Sequence, residues 1–403
     1  MQTNLADFIK GTSTGDEVEK ILRTCVHCGF CNATCPTYSI LGNELDGPRG
    51  RIYQIKNFVE TGAVTDSVQK HLDRCLTCLA CTTTCPSGVE YNRLIDIGRE
   101  LVEQRIERPM SQSAVRWMLR KLLPYRRRFG ATMSLGRLVR PVLPSLLKDK
   151  IPPRQESMSR QLAAHDRKML VLDGCVQPSL TPVTNQALEV VFGRLGIEII
   201  RGKGAGCCGA VSQHLMEPVE ARNFMRKNID AWWPLVESGA EAILVTASGC
   251  GVMVKDYGWH LRGDPAYMEK AKRISSLCRD PVEVMAEEDL SVLGIQDQRK
   301  IAFHPPCTLQ HGQKLKGRVE TVLRNAGFEL VGVRDEHICC GSAGTYSVLQ
   351  PKIANELKTL KLENLQRDKP ELIATANVGC QTHLQVGAEV PVVHWLELMA
   401  GFR

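Results

Sequence analysis

C-V-H-C-G-F-C-N-A-T-C-P, Cys25 to Pro36, and C-L-T-C-L-A-C-T-T-T-C-P, Cys75 to Pro86, are one motif written twice. Each run is C-x2-C-x2-C-x3-C-P. Three thiolates two residues apart can wrap one iron–sulfur cubane from a single tight loop, and the fourth corner must be reached from elsewhere. In this spacing the fourth cysteine of each run ligates the cluster of the other run. The proline ends the loop and removes an N–H where no ladder continues. The motif predicts two [4Fe–4S] clusters, one on Cys25, Cys28, Cys31 and Cys85, the other on Cys75, Cys78, Cys81 and Cys35. A zinc site has no use for a third C-x2 step or a reciprocal fourth ligand. A disulfide framework needs an oxidising compartment. The chain therefore reads as a carrier of single electrons.

Around the two runs the sequence reads as helical. Ile52, Ile55, Phe58 and Val59, between Gly47 and Gly62, fall at helical spacing, as do Leu94, Ile95, Ile97, Leu101 and Val102. Residues 1–108 are thus expected to form a helical two-cluster domain.

Residues 109–168 differ in kind. Pro109, Pro124, Pro141, Pro144, Pro152 and Pro153 interrupt them, and from Arg105 to Lys168 there are 16 Lys/Arg against 4 Asp/Glu, within a chain of net charge +7. Short helices fit between the prolines, with Trp117, Met118, Leu122 and Leu123 on one face. Arg126, Arg127 and Arg128 stand beside Tyr125 and Phe129. The segment reads either as a solvated linker or as a basic amphipathic surface for anionic lipid or an acidic subunit. No nucleic-acid fold accompanies the charge, so a nucleic-acid partner is not expected.

Residues 169–403 repeat themselves. K-M-L-V-L-D-G-C ends at Cys175 and K-I-A-F-H-P-P-C at Cys307; Cys207–Cys208 and Cys339–Cys340 each precede glycine; Cys250 and Cys380 close the series. Strands and helices alternate, which predicts an α/β layer with a mainly parallel sheet in each copy, 169–290 and 291–403. The cysteines follow strand ends, where open α/β sheets place their sites. The four thiols of each copy could hold a further cluster or a zinc ion; buried free cysteine accounts poorly for four positions kept twice. The expected fold class is α+β overall: a helical ferredoxin-like domain, then duplicated α/β domains.

These residues carry a family resemblance. The repeat resembles the cysteine-rich CCG domain of heterodisulfide reductase and its relatives. The whole arrangement resembles the glycolate oxidase iron–sulfur subunit family, with related organisation in lactate-utilisation and anaerobic glycerol-3-phosphate dehydrogenase proteins. The stretches that carry it are C-V-H-C-G-F-C-N-A-T-C-P-T-Y, E-L-D-G-P-R-G-R-I-Y, H-L-D-R-C-L-T-C, D-A-W-W-P and C-C-G-S-A-G-T-Y. The fuller CCG pattern ends in C-x-x-C, whereas here Met253 and His383 hold the last position. That argues against a five-cysteine noncubane cluster and makes His383 a candidate ligand in the second copy. His304 and His311 flank Cys307, and each alone reads as a core or surface residue.

The resemblance implies flavoprotein partners that oxidise glycolate to glyoxylate, with electrons leaving through this chain towards quinone or another membrane acceptor. Nothing in the sequence offers a substrate-oxidising site: G-K-G-A-G at Gly202–Gly206 lacks the dinucleotide spacing and runs straight into Cys207. The N-terminus has no signal-peptide pattern and no apolar run is long enough to span a bilayer. Seventeen cysteines without an export signal fit a reducing cytoplasm, with peripheral association to the inner membrane through a complex.

Overall fold

The computed structural model describes residues 1–142, 151–155 and 164–402; Pro144 lies outside them. The chain divides into two compact bodies: Met1–Val115 with His337–Lys361, and Arg116–Glu336 with Leu362–Arg403.

The first body is helical. Thr12 caps the Ser13–Thr24 helix through its side chain, and Pro48 opens the Pro48–Thr61 helix between the two cysteine runs, with Gly62 stopping it in the left-handed region. Asp66–Asp73 leads into the second run and Tyr91–Glu103 follows it. Their apolar stripes meet in one core of Val18, Leu22, Ile55, Phe58, Leu72, Leu94 and Ile95, which reaches the cysteines themselves.

The second body carries two parallel sheets. Strands β1 (Arg167–Val171), β2 (Ile197–Ile200), β3 (Ile243–Leu244) and β4 (Cys278–Arg279) stand in the order β2-β1-β3-β4. Strands β5 (Lys300–His304), β6 (Glu329–Leu330), β7 (Leu372–Thr375) and β8 (Val392–His394) repeat it as β6-β5-β7-β8. Every pairing is parallel. The chain reverses direction across the sheet between β1 and β3, and between β5 and β7, which are the switch points where such sheets place their sites. The two copies share one core, in which Val171, Leu188 and Phe192 join Ile301, Phe303, Val322 and Trp395. Polar contacts cross it as well: Thr184 Oγ1 donates to Glu397 Oε1 at 2.9 Å and His394 Nε2 to Thr246 O at 3.0 Å.

Between the prolines the basic segment forms longer helices than short breaks would give, Met110–Leu122 and Arg126–Val139. Much of its charge is tied inward: Arg120 and Lys121 reach Glu220 at 3.4 and 2.7 Å, and Arg126 pairs with Asp173 at 3.5 Å. Arg128 donates to Lys121 O and lies 4.3 Å over the Tyr125 ring.

Candidate metal centres

The two cysteine loops of the first body share a backbone. His27 and Gly29 in one, Thr77 and Leu79 in the other, all have positive φ. The alternation turns successive cysteines inwards, and at Leu79 the chain accepts a conformation that usually needs glycine. One concavity is lined by Cys25, Cys28, Cys31 and Cys85, with Cys81 also at its wall. Cys28 is exposed, whereas Cys25, Cys35, Cys75 and Cys81 are buried.

The electrostatics follow the same grouping. Burial pushes the Cys31 thiol up to about 11, and Cys25, Cys85 and Cys28 add repulsion. Burial likewise holds Cys81 well above the usual thiol range, with Cys78, Cys75 and Cys35 adding to it, and Cys31 of the other set after them. Thiols that hinder each other's ionisation need a cation to become thiolates, so this donor set fits iron. Cys75 departs from the others. Burial pushes it up too, but Arg51, Arg99 and the hydrogen bonds from Thr77 N and Tyr91 together bring it below the usual range.

Those cations belong to a buried network, of which Asp46, Arg51, His71 and Arg74 lie in the stretches that carry the family resemblance and Arg99 does not. Asp46, fully buried, receives Arg74 Nη1 at 2.8 Å and faces His71 Nδ1 at 2.8 Å and Arg51 Nη2 at 3.8 Å. Arg51 Nε donates to His71 O, and its Nη2 to Thr37 Oγ1, which lies 3.3 Å from the Cys35 sulfur. Arg99 Nη2 donates to Cys75 O at 2.6 Å and Leu72 O at 2.8 Å, and its Nη1 to Thr77 Oγ1 at 3.1 Å. Tyr91 Oη donates to the Cys75 sulfur at 3.7 Å.

In the first cysteine-rich copy, Cys175, Cys207, Cys208 and Cys250 form a chain of touching thiols. Hydrogen bonds from Cys207 and Cys250 hold Cys208 well below the usual thiol range; Cys207 is held up by its bonds to Cys175 and then Cys208, and Cys250 by its bond to Cys208. These contacts bring the four thiols together in pairs, as candidate ligands. Asn228 fixes the loop: its Oδ1 accepts from Gly206 N and its Nδ2 donates to Cys207 O, each at 2.8 Å. Tyr257 Oη donates to Cys208 O at 2.9 Å. Met253, at the missing fifth position, is buried in the apolar core beside Cys208. Cys278, the seventeenth cysteine, is a buried β4 residue whose thiol burial pushes up.

The second copy keeps the loop geometry. Gly209 and Gly341 have φ of +96° and +87°, and each donates its N–H to the sulfur two residues earlier at 3.4 Å. A Cβ on Gly341 would stand 2.4 Å from Ala354 O, and one on Gly209 3.0 Å from Ala221 O, so both positions require glycine. Cys339 and Cys340 lie on the segment that folds with the first body, Cys307 and Cys380 in the second. In the first body Tyr346 Oη donates to Arg74 O at 2.9 Å. In the second body a ring nitrogen of fully buried His304 lies within 4.8 Å of the Cys380 sulfur. The first copy has Leu172 at the position of His304. His383 is half-buried on the Val378–Gln385 helix. A histidine that reads as ordinary core in sequence therefore stands beside a candidate ligand; the one signal was its place at a strand end ahead of Cys307.

Crossed cysteine loops in a helical body, with a duplicated parallel sheet bearing CCG loops, define an iron–sulfur oxidoreductase component. The 4Fe-4S dicluster domain family matches residues 21–89, and the cysteine-rich domain family CCG matches 169–255 and 301–385. The chain is 50% identical over 99% of its length to the glycolate oxidase iron–sulfur subunit of Escherichia coli, covering 98% of that protein. It is 26% identical over 94% of its length to the probable glycolate oxidase iron–sulfur subunit of Bacillus subtilis, covering 93% of it. Lactate utilization protein A of Geobacillus thermodenitrificans is 28% identical over 51% of this chain and 87% of its own length. The chain belongs to the family of glycolate oxidase iron–sulfur subunits.

Proposed function

We propose that this chain is the electron-transfer subunit of a complex that oxidises glycolate to glyoxylate. It receives electrons from a flavoprotein partner and passes them towards quinone at the membrane. The observation that carries this reading is the pair of cysteine sets in the first body. Two [4Fe–4S] clusters held by Cys25, Cys28, Cys31, Cys85 and by Cys75, Cys78, Cys81, Cys35 would supply one-electron steps between a two-electron flavin and the acceptor. Cys175, Cys207, Cys208 and Cys250 are our candidate ligands for a further cluster or zinc. In the second copy His304 joins Cys380 as a candidate, and His383 remains one from the sequence. The division into 1–108, 109–168, 169–290 and 291–403 is our working map of the roles. The likeness to lactate utilization protein A supports lactate as the second substrate to try.

We further propose a cytoplasmic, peripheral place at the inner membrane. Among the described residues no helix is long and apolar enough to cross a membrane. Support for a peripheral contact comes from Trp117, Met118, Leu135 and Leu138, exposed large side chains on the two basic helices.

The test is division of labour. The purified chain should carry iron and sulfide, yet reduce no dye with glycolate or lactate. Adding the flavoprotein subunits should restore substrate-dependent electron delivery to quinone. Dye reduction by the flavin-free chain alone would overturn the relay reading.

A further inference from the structure

The two cluster loops share a backbone but not an electrostatic setting. Around Cys75 stand Arg51, 1% exposed, and Arg99, 8% exposed, with Arg74 behind them and the single carboxylate of Asp46 among them. The cations there outnumber the anion. Each is anchored on the loop's own backbone or neighbours: Arg99 on Cys75 O, Leu72 O and Thr77 Oγ1, Arg51 on His71 O and Thr37 Oγ1.

On the other side the positive groups are reached by water. Arg49 is 36% exposed and paired with Glu44 at 2.6 Å. The Met1 ammonium, which donates to Cys25 O at 2.6 Å, is partly exposed. Val26 and Phe30 of that loop are 69% and 61% exposed. A charge acts several-fold more strongly through a buried, low-dielectric path than through water.

We propose that Arg51 and Arg99 are potential-setting residues that make the Cys75, Cys78, Cys81 and Cys35 site the easier of the two to reduce. One-electron reduction adds one negative charge and needs no proton. Buried guanidiniums stabilise that added charge, and the hydrogen bond from Tyr91 to the Cys75 sulfur acts in the same direction. The inference rests on the reading that both cysteine sets hold clusters, and the iron content of the wild-type chain tests that reading separately.

The experiment is an EPR-monitored redox titration of the full, iron-loaded chain. Cys28→Ser, at the exposed ligand, assigns the wave of the Cys25 set by its loss. In the wild type the remaining wave should lie at the higher potential. Arg99→Gln and Arg51→Gln should lower that wave by at least tenfold in the reduced-to-oxidised ratio, about 59 mV for one electron. The other wave should stay in place, and Arg99→Lys should keep the wild-type value. Arg74→Gln removes the third cation, at a side chain 23% exposed that meets Asp46, and should shift the same wave in the same direction. Wild-type chain lacking iron would defeat the cluster reading and leave the charges as structural. With iron present, a Cys75-set wave at or below the other would overturn the proposal. So would an unmoved wave in Arg74→Gln, or an equal shift of both waves in the arginine variants.

Discussion

Asp46 shows how one side chain serves both stability and the electrostatic setting of a centre. It is fully buried, takes a 2.8 Å hydrogen bond from Arg74, and stands against His71 and Arg51. Removing one partner from such a network leaves uncompensated buried charge, at a cost of about 3–5 kcal/mol. Asp46→Asn keeps the shape and removes the charge. We expect a lower unfolding midpoint, and a Cys75-set wave that moves up in potential, opposite in sign to Arg99→Gln. Thermal unfolding and the same redox titration check both. A downward shift would mean that the loop relaxes rather than responds to charge. The thiols around this residue are legible from spacing alone, because ligand spacing is local chemistry. Asp46, in the Glu44–Asp46 turn, and the helical Arg51 and Arg99 are not, because charged residues in turns and amphipathic helices ordinarily face water. Only the packing of Pro48–Thr61 against Asp66–Asp73 and Tyr91–Glu103 turns them inward.

At the scale of the element, the C-terminal helix of each repeat depends on its cap. Asp280 and Glu283 form a capping box on Pro281–Met285, while His394 caps Trp395–Met399. Leu396 N donates to His394 Nδ1 at 3.3 Å, and Nε2–H donates to Thr246 O at 3.0 Å. The cap bond to Nδ1 requires the neutral ring, and burial, outweighing the Thr246 bond, lowers its pKa from 6.5 to about 4. Above pH 6.5 folded and unfolded chains both hold it neutral, so the cap contributes fully. Between pH 6.5 and 4 the unfolded chain takes a proton that the folded chain refuses, and stability falls by up to about 3 kcal/mol. His394→Asn keeps an acceptor at the cap without the titration. Urea midpoints measured from pH 7 to 4.5 should therefore fall less steeply in the variant; equal slopes would exclude the imidazole as the cause. The repeat itself is visible in sequence, since strand, cysteine and glycine recur at fixed offset. The fold of its parts is less so. The Cys339–Tyr346 loop folds with the helical body although its strands belong to the other, and such long-range packing leaves no local periodicity. The basic segment shows the same limit: its prolines mark breaks, but Met110–Leu122 and Arg126–Val139 fill most of the distance between them, and the partners of their charges, Glu220 and Asp173, are distant in sequence.

For the whole molecule, the open question is what meets its basic helices. From Pro109 to Lys148 the sequence has no acidic residue, while Trp117, Met118, Leu135 and Leu138 stay exposed. Apolar side chains on helices that carry no acidic residue of their own suit an anionic lipid surface, where each basic residue contributes about 1 kcal/mol and each buried apolar side chain about 1.5–3 kcal/mol. Arg126 and Arg128 are poor probes, because each already has a partner within the chain. The exposed apolar residues are better ones, since replacing them disturbs no core. The iron-loaded chain should co-sediment with vesicles containing phosphatidylglycerol and not with pure phosphatidylcholine, and the binding should weaken as salt rises over the range where the screening length falls below about 10 Å. Trp117→Ser combined with Leu138→Ser should weaken it at least tenfold while leaving iron content and unfolding midpoint unchanged. Binding that survives the double substitution, or that appears only when partner subunits are added, would move the membrane contact from this chain to the complex.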